Sequence, residues 1–209
     1  MELKGKKFNL QSPFKNGLAV VEDKEKEKIV TAYRMVSDYV KSKHKKNFIF
    51  VVHRLDQDTS GVLMFCKNEG IRDKMQDNWN NIVKKRGYIA LVDGKLSGKS
   101  TIHSFLMEDK RQFVYSSKNG IGKEAITHYE VIKNNNNYSM LQVFIDTGRR
   151  NQIRVHLSEN NNPIIGDKKY GSKVKSRLML HAKLIELIDP RTNKILKIEA
   201  SVPKEFYKV

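Results

Sequence analysis

Apolar residues recur at helical spacing in two stretches of the first half of the chain. Between Glu25 and Lys43, and again from 71 to 83, the intervals match one face of an α-helix. The apolar positions are Ile29, Tyr33, Val36 and Val40, then Ile71, Met75, Trp79, Ile82 and Val83. Both stretches end in basic residues, which complement the helix dipole, and Gly87 is a candidate C-cap for the second. Two amphipathic helices are therefore predicted, with Trp79 in the core.

Short runs of β-branched and aromatic residues predict the strands. The first two runs, Phe48–Val52 and Val62–Cys66, are apolar throughout and are expected to be buried. Later strands are expected at Tyr88–Val92, 101–107, 112–116, 125–132 and 138–146, and in a hairpin formed by 178–188 and 194–200. This order favours an α+β fold with helices placed early and a mainly antiparallel sheet that runs as a meander.

Two segments lack such a pattern. Residues 1–17 are polar and are interpreted as an N-terminal arm or edge segment, so that residues 18–209 form a single domain. Gly94–Ser100 resembles a phosphate-binding loop. However, three residues separate Gly94 from Gly98, and that motif needs four. A strand-like run also follows it instead of a helix. We therefore interpret this segment as a hairpin loop and reject a nucleotide site.

The charge of the chain indicates its partner. Lys and Arg number 40 against 23 Asp and Glu, which gives a net charge of +17. A polyanion is the expected partner, and nucleic acid is the commonest one. No apolar run approaches the ~20 residues of a membrane-spanning helix, and no signal peptide is visible at the start of the chain. The single cysteine, Cys66, cannot form an intrachain disulfide, so we expect a cytoplasmic protein.

The polar stretch from His53 to Gly61 is the first candidate for chemistry. It lies between two apolar runs, so Arg54 and Asp56 are expected to be desolvated. An ionised carboxylate is tolerated there only beside a cation. A carboxylate paired in this way has a low pKa, which suits a nucleophile or an electrostatic stabiliser. The alternative is a structural turn in which the loop's carboxylates and hydroxyls bond the backbone.

A second candidate begins at Gly148. Arg149 and Arg150 precede a short predicted helix that carries Ile153 and Leu157 on one face. Arginines before a helix N-terminus can bind phosphate, although a solvated basic surface is an equal alternative. The six histidines are dispersed and have no metal-binding spacing, so no metal is expected.

Several ordered motifs resemble those of the RluA-like pseudouridine synthases. They are His53-Arg54-Leu55-Asp56-Gln57-Asp58-Thr59-Ser60-Gly61, Arg86-Gly87-Tyr88, Thr147–Leu157, Pro163–Asp167, Tyr170-Gly171 and Leu180–Ala182. The chain departs from the family near its start, where Lys15-Asn16-Gly17-Leu18 lacks the usual proline. Because the blocks occur in the order of the family, their combination is far more specific than any one of them.

The resemblance implies an RNA pseudouridine synthase with a curved sheet and an active cleft across it. It implies that Asp56 is the catalytic carboxylate, that Arg154 pairs with Asp56, and that Tyr88 stacks on the target base. Arg54 would occupy the vacated base stack, and Leu180 would pack against the target ring. The residues expected to support the active loop are His53, Thr59, Ser60 and Gly61.

The resemblance also implies a structured RNA substrate, either ribosomal or transfer RNA, and a reaction that needs no cofactor. We expect a monomer. One alternative is a noncatalytic RNA-binding or ribosome-associated protein, for which the positive charge is sufficient. A glycoside hydrolase using Asp56 is a more distant alternative, since it needs a second acidic group about 5–10 Å away.

Overall fold

The computed structural model describes residues 2–3, 6–7 and 31–207. They form two compact units. The first contains the described residues up to Leu55, Ser60–Lys84 and Leu184–Ala200, and the second contains Asp56–Thr59, Lys85–Lys183 and those from Ser201 onward. The predicted boundary between residues 17 and 18 lies outside the described residues, and the single domain from residue 18 stays a prediction.

The first unit contains the early helices and several two-residue strands. Its elements are β1 (Glu2–Leu3), β2 (Lys6–Lys7), α1 (Ala32–Lys43), β3 (Phe50–Val51), β4 (Ser60–Gly61), β5 (Phe65–Cys66), α2 (Glu69–Asp77) and α3 (Trp79–Ile82). Strand β1 pairs with β2, and β3 pairs with β5, in both cases antiparallel. Among the described residues, no helix is both long and apolar enough to cross a membrane.

Helix α1 confirms part of the first predicted helix. Thr31 is its N-cap, and the Thr31 side chain accepts a backbone N–H from the first turn, so the helix begins at Ala32. The predicted start at Glu25 lies outside the described residues. Val36 and Val40 are buried as predicted, but Tyr33 is 47% exposed. The apolar face is therefore narrower than its spacing indicates.

The two apolar runs around the polar loop are less regular than predicted. Strands β3 and β5 contribute only the pairs Phe50 with Cys66 and Val51 with Phe65. Phe48 is 59% exposed and Val51 is 44% exposed, so the prediction of fully buried strands was wrong at these positions. Alternate residues of a strand point to opposite faces. In this two-residue ladder only one face packs against a core, so residues on the other face are exposed.

The second predicted helix ends earlier than its basic residues indicated. Asn78 separates α2 from α3, and β6 (Val83–Asp93) then begins at once. Gly87 is not a C-cap, since it lies within β6 and faces Phe144 across the ladder. Lys85 Nζ lies 4.4 Å from the centre of the Phe144 ring. Strand pairing therefore determines the conformation of a segment whose composition resembles a helix end.

The core of the first unit joins its loops and helices to a C-terminal hairpin. Strand β11 (Leu180–Ile188) begins in the second unit and ends in the first, where β12 (Ile195–Glu199) pairs with it from Leu184 to Ile188. This confirms the predicted hairpin. The buried residues of this core are Val52, Val62, Cys66, Met75, Val83, Ile185, Leu187 and Ile198. Trp79 packs against it, as predicted.

The second unit is built on antiparallel strands. They are β6, β10 (Tyr138–Ile145), β9 (Lys123–Asn134), β7 (Lys99–Glu108) and β8 (Val114–Ser116), in this spatial order. The predicted antiparallel α+β fold is thus confirmed. The meander was wrong, because β9 and β10 lie between β6 and β7. For the same reason Gly94–Ser100 does not close a hairpin.

Helix α4 (Gln152–Glu159) covers the core of these strands. Its predicted apolar face is confirmed, since Ile153 and Leu157 are buried together with Ala90 and Leu141. The last residues of the described chain form a short 3₁₀ turn at Lys204–Tyr207, in which Phe206 is fully buried. Packing of Ile153 and Leu157 in this core fixes the start of α4 on the strands. Arg149 and Arg150, which are predicted to bind phosphate, lie just before that start.

Candidate active site

The predicted catalytic loop forms a tight turn. The backbone N–H of Thr59 donates to the carbonyl oxygen of Asp56 at 3.0 Å. Thr59 is 2% exposed, and Gly61 has a φ of 117°, which favours glycine. Asp56 is half-buried, but Arg54 is exposed. The prediction that Arg54 is desolvated was therefore wrong. Of the two charged side chains, only Asp56 is partly shielded from solvent.

His53 is anchored within the first unit. Its Nε2 accepts the backbone N–H of Met64 at 2.9 Å. Its ring centre lies 5.4 Å from that of Trp79. Because an accepting Nε2 must be unprotonated, this contact selects the tautomer protonated on Nδ1. Such a contact is compatible with the predicted supporting role of His53.

Asp56 lies beside the start of α4 in the second unit. The backbone N–H of Asn151 donates to Asp56 Oδ1 at 3.4 Å. The charge of Asp56 also acts on Tyr88 and Arg154. Burial is the main cause that raises the pKa of Tyr88 to about 12, and the Asp56 carboxylate raises it further against the opposing charge of Arg86. Tyr88 is therefore a protonated phenol at neutral pH.

Arg154 forms its direct ion pair with Asp167. Its Nε donates to Asp167 Oδ2 at 2.7 Å and its Nη2 to Asp167 Oδ1 at 2.8 Å. Burial acts to lower the pKa of Arg154, but the hydrogen bonds and charge of Asp167, followed by the charge of Asp56, raise it overall. Arg154 thus has a salt bridge with Asp167 and a Coulombic attraction to Asp56, and its pairing with Asp56 stays a prediction.

The surroundings of Arg154 are also ordered. Its Nη1 donates to Asn151 Oδ1 at 3.0 Å, and its guanidinium carbon lies 5.1 Å from the centre of the Tyr170 ring. Asp167 is 1% exposed and Arg154 is 8% exposed. Sequence reasoning did not name Asn151, Asp167 or Tyr170 as site residues. The motifs could have indicated them, since all three lie within the segments that resemble the family.

The two predicted phosphate-binding arginines line a groove of about 370 Å³ in the second unit. Arg149 Nε donates to the carbonyl oxygen of Glu124 at 2.9 Å. Arg150 forms an ion pair with Glu108 and donates to Gln112 Oε1 at 2.9 Å. Both arginines are thus held by the protein and remain partly open to solvent. Phosphate binding by them stays a prediction.

Arg86 fixes the turn that precedes these arginines. It donates a hydrogen bond to the carbonyl oxygen of Asp146. A Cβ added at Gly148 would lie 2.5 Å from Arg86 Nη1. A larger residue at position 148 would therefore displace the Arg86 guanidinium from this position. Burial lowers the pKa of Arg86, and the negative charge of Asp146 opposes this effect.

Leu180 is the first residue of β11 and is 2% exposed. It belongs to the same core as Ala90 and Leu141. Leu180 is thus a core leucine within a strand, and its contact with a target ring stays a prediction.

The geometry favours a carboxylate that acts beside a fixed cation and a neutral phenol. Asp167 is bound by Arg154 through both of its oxygens, so it does not offer the second free acid that paired-carboxylate hydrolysis needs. Within the described part of the chain, no group of three or more His, Cys, Asp and Glu side chains could hold a metal ion.

Comparisons with known proteins agree with these motifs. The family model of RNA pseudouridylate synthases matches residues 15–159. An uncharacterized RNA pseudouridine synthase of Bacillus subtilis is 35% identical over 159 residues, which cover 74% of this chain and 53% of that protein. Ribosomal large subunit pseudouridine synthase D of Borreliella burgdorferi is 38% identical over 162 residues, 75% of this chain and 49% of that protein. The chain thus spans about half the length of these relatives.

A solved structure supports the fold. Human RNA pseudouridylate synthase domain containing 4 superposes with a TM-score of 0.74 at 18% identity, covering 91% of this chain and 86% of the human chain. The match of the family model includes Asp56, Tyr88 and Arg154. The chain belongs to the RNA pseudouridylate synthase family.

Proposed function

We propose that this chain isomerises uridine to pseudouridine in structured RNA, with Asp56 as the catalytic carboxylate. One observation carries the proposal. The half-buried Asp56 accepts the Asn151 N–H; its charge adds to the effect of burial in raising the pKa of Tyr88, and to the effect of Asp167 in raising that of Arg154. Because such an interaction is reciprocal, Arg154 favours the ionised form of Asp56.

The reaction needs no external reactant. The N1–C1′ bond of uridine breaks, the uracil turns, and a C5–C1′ bond forms. The C5 proton is released to solvent and N1 gains a proton, so atoms and electrons balance without a cofactor. Asp56 either attacks C1′ covalently or assists removal of a sugar proton, and the site is compatible with both routes.

The other predicted residues then have distinct roles. The Tyr88 ring stacks on the target base, and its raised pKa keeps the phenol neutral during the reaction. Extrusion of a base costs a few kcal/mol, which exposed Arg54 offsets by occupying the vacated stack. Arg149 and Arg150 bind backbone phosphates near the target, and Leu180 supports the ring from the core.

The relatives suggest the first RNA to test. Two of them, from Borreliella burgdorferi and Xylella fastidiosa, are named as ribosomal large subunit enzymes. We therefore propose large-subunit ribosomal RNA as the first substrate class, with transfer RNA as the second. We further propose a monomer that acts in the cytoplasm, where both RNAs are found.

Tritium release from RNA labelled at C5 of uridine tests the proposal. Wild type, Asp56→Ala and Asp58→Ala are compared on transcribed ribosomal and transfer RNA. Asp58 is the matched control, because it is an exposed carboxylate in the same loop. Release by wild type and Asp58→Ala, with none above background from Asp56→Ala, is the expected result.

The net charge of +17 favours one second candidate, a noncatalytic RNA-binding protein. In that case no RNA releases tritium with any variant, while salt-sensitive RNA binding is equal in wild type and Asp56→Ala. That result would contradict the proposed isomerisation.

A further inference from the structure

Asn151 contacts both charged groups of the site. It is 5% exposed and adopts a left-handed conformation with a φ of 53°. Asparagine tolerates this region better than most residues do. The backbone N–H of Asn151 donates to Asp56 Oδ1 at 3.4 Å, and its side-chain Oδ1 accepts from Arg154 Nη1 at 3.0 Å. One residue therefore links the proposed catalytic carboxylate to its cation.

The Asn151 side chain is not used for helix capping. An asparagine at the N-cap commonly accepts a backbone N–H from the first turn of its helix, but Asn151 makes no such bond to α4. Its Nδ2 instead donates to the Tyr170 hydroxyl at 3.2 Å, and that hydroxyl also accepts the Val114 N–H at 3.3 Å. One end of the amide is thus bound by Arg154 and the other by Tyr170, whose ring lies beside the Arg154 guanidinium.

We infer that Asn151 is a positioning residue that sets the distance and orientation between Asp56 and Arg154. The inference rests on the proposed function. The backbone contact depends on the left-handed conformation, whereas the side-chain contacts depend on the amide. Coulombic attraction weakens as charges separate, so loosening this link reduces the attraction between the two groups. The loss falls on the chemical step, because exposed arginines elsewhere supply the RNA contacts.

Two asparagine-to-glycine variants separate this role from a general effect on α4. Asn161 lies just beyond the other end of the helix, is exposed, and is also left-handed, with a φ of 62°. Glycine accepts a positive φ at either position, so only Asn151→Gly removes contacts with the site. In C5 tritium release, kcat of Asn151→Gly is expected to fall by about 10- to 100-fold. Its KM for RNA stays near the wild-type value, and Asn161→Gly behaves as wild type.

Asn151→Asp provides a second readout. Aspartate tolerates the left-handed conformation and keeps an acceptor for Arg154, but it adds a negative charge to the residue whose backbone contacts Asp56. A neighbouring like charge raises the pKa of a carboxyl group. The acidic limb of the kcat pH profile is therefore expected to move to higher pH, which a side chain without influence on Asp56 would not cause. Arg154 and Tyr88, which also interact electrostatically with Asp56, are unchanged in this variant.

Two results would overturn the inference. One is a kcat for Asn151→Gly equal to that of Asn161→Gly. The other is an acidic limb for Asn151→Asp that coincides with the wild-type limb, and this variant decides the question if Asn151→Gly does not fold. Failure of the proposed function is distinguishable, because wild type and Asn161→Gly would then release no tritium either. The inference would fall with it.

Discussion

Helix α4 carries two buried polar clusters, one around Arg154 and the other around His156. Arg154 is bound to Asp167 by hydrogen bonds of 2.7 and 2.8 Å. His156 lies between two hydroxyls, those of Ser104 and Thr127, each 2.9 Å from a ring nitrogen. Burial lowers the pKa of His156 from 6.5 to about 4. One helix thus buries a charge with its counter-ion and holds a second basic group in its neutral form.

The charged cluster around Arg154 and the neutral cluster around His156 have different effects on their surroundings. A buried charge acts over several ångströms in a medium of low dielectric constant, and the effect of Asp56 on the pKa of Arg154 shows such coupling. Neutral hydrogen bonds act only on their direct partners. The His156 cluster, which Gln152 extends by donating to Thr127 Oγ1 at 3.0 Å, therefore fixes α4 on the strands. Only the Arg154 cluster can contribute to the electrostatics of the site.

The largest effect is expected when the charged cluster loses its anion. Asp167→Asn keeps the shape of the side chain but removes the carboxylate that forms a direct ion pair with the buried Arg154. Removing one partner of a buried ion pair costs about 3–5 kcal/mol. The free energy of unfolding, measured by urea denaturation at pH 7, is expected to fall by this amount.

Glu108→Gln is the matched control for this loss. It breaks the ion pair with Arg150, whose partners are 37% and 39% exposed. Exposed pairs contribute at most about 1 kcal/mol. Equal losses in the two variants would show that burial does not distinguish the two ion pairs.

The neutral cluster is expected to make stability depend on pH. Between pH 6.5 and about 4 the unfolded chain binds a proton on His156 that the folded protein does not bind. Stability therefore falls as the pH decreases through this range, by up to about 3 kcal/mol. Replacement with a neutral residue, His156→Gln, removes this contribution.

Urea denaturation of wild type and His156→Gln at pH 7 and pH 4.5 measures it. Because carboxylates also titrate in this range, the useful quantity is the difference between the two proteins. Wild type is expected to lose more stability than His156→Gln over the same interval. Equal losses would show that His156 is not held in its neutral form.

The sequence predicts the elements that carry these clusters better than it predicts the clusters. Ile153 and Leu157 define the apolar face of α4, and the charged stretch between two apolar runs marks Asp56 as a candidate site residue. Both signals are local. The pairing of Arg154 with Asp167 was not predicted, because it depends on how the chain returns after α4. His156 was only one of six dispersed histidines, and no local pattern marks a neutral one.

The errors have a related cause. Lys84, Lys85 and Arg86 resemble the basic end of a helix, and Gly87 resembles its cap. In the structure these residues belong to β6, in which Gly87 pairs with Phe144 of β10. Local composition cannot report a partner that lies far away in the sequence. Contacts between distant parts of the sequence therefore determine both the strand conformation of Lys84–Gly87 and the ion pair of Arg154 with Asp167.

The smallest effect is expected from a single hydrogen bond of the neutral cluster. Ser104→Ala removes the hydroxyl beside His156 Nε2, and Ser116, which donates to Ser104 Oγ at 2.9 Å, loses its acceptor. Both serines are partly exposed, so water can replace part of what is lost. A decrease of about 1 kcal/mol in the free energy of unfolding is expected.

Thr101→Val is the control on the same strand. Thr101 Oγ1 lies 2.8 Å from His128 Nδ1, but both residues are exposed to solvent, where water substitutes for either partner. Its effect is expected to be smaller than that of Ser104→Ala, although the two bonds have similar lengths. If the two variants lose the same stability, burial adds nothing to the hydroxyl–histidine bond. The contrast between the two clusters would then rest on the charge of Arg154 alone.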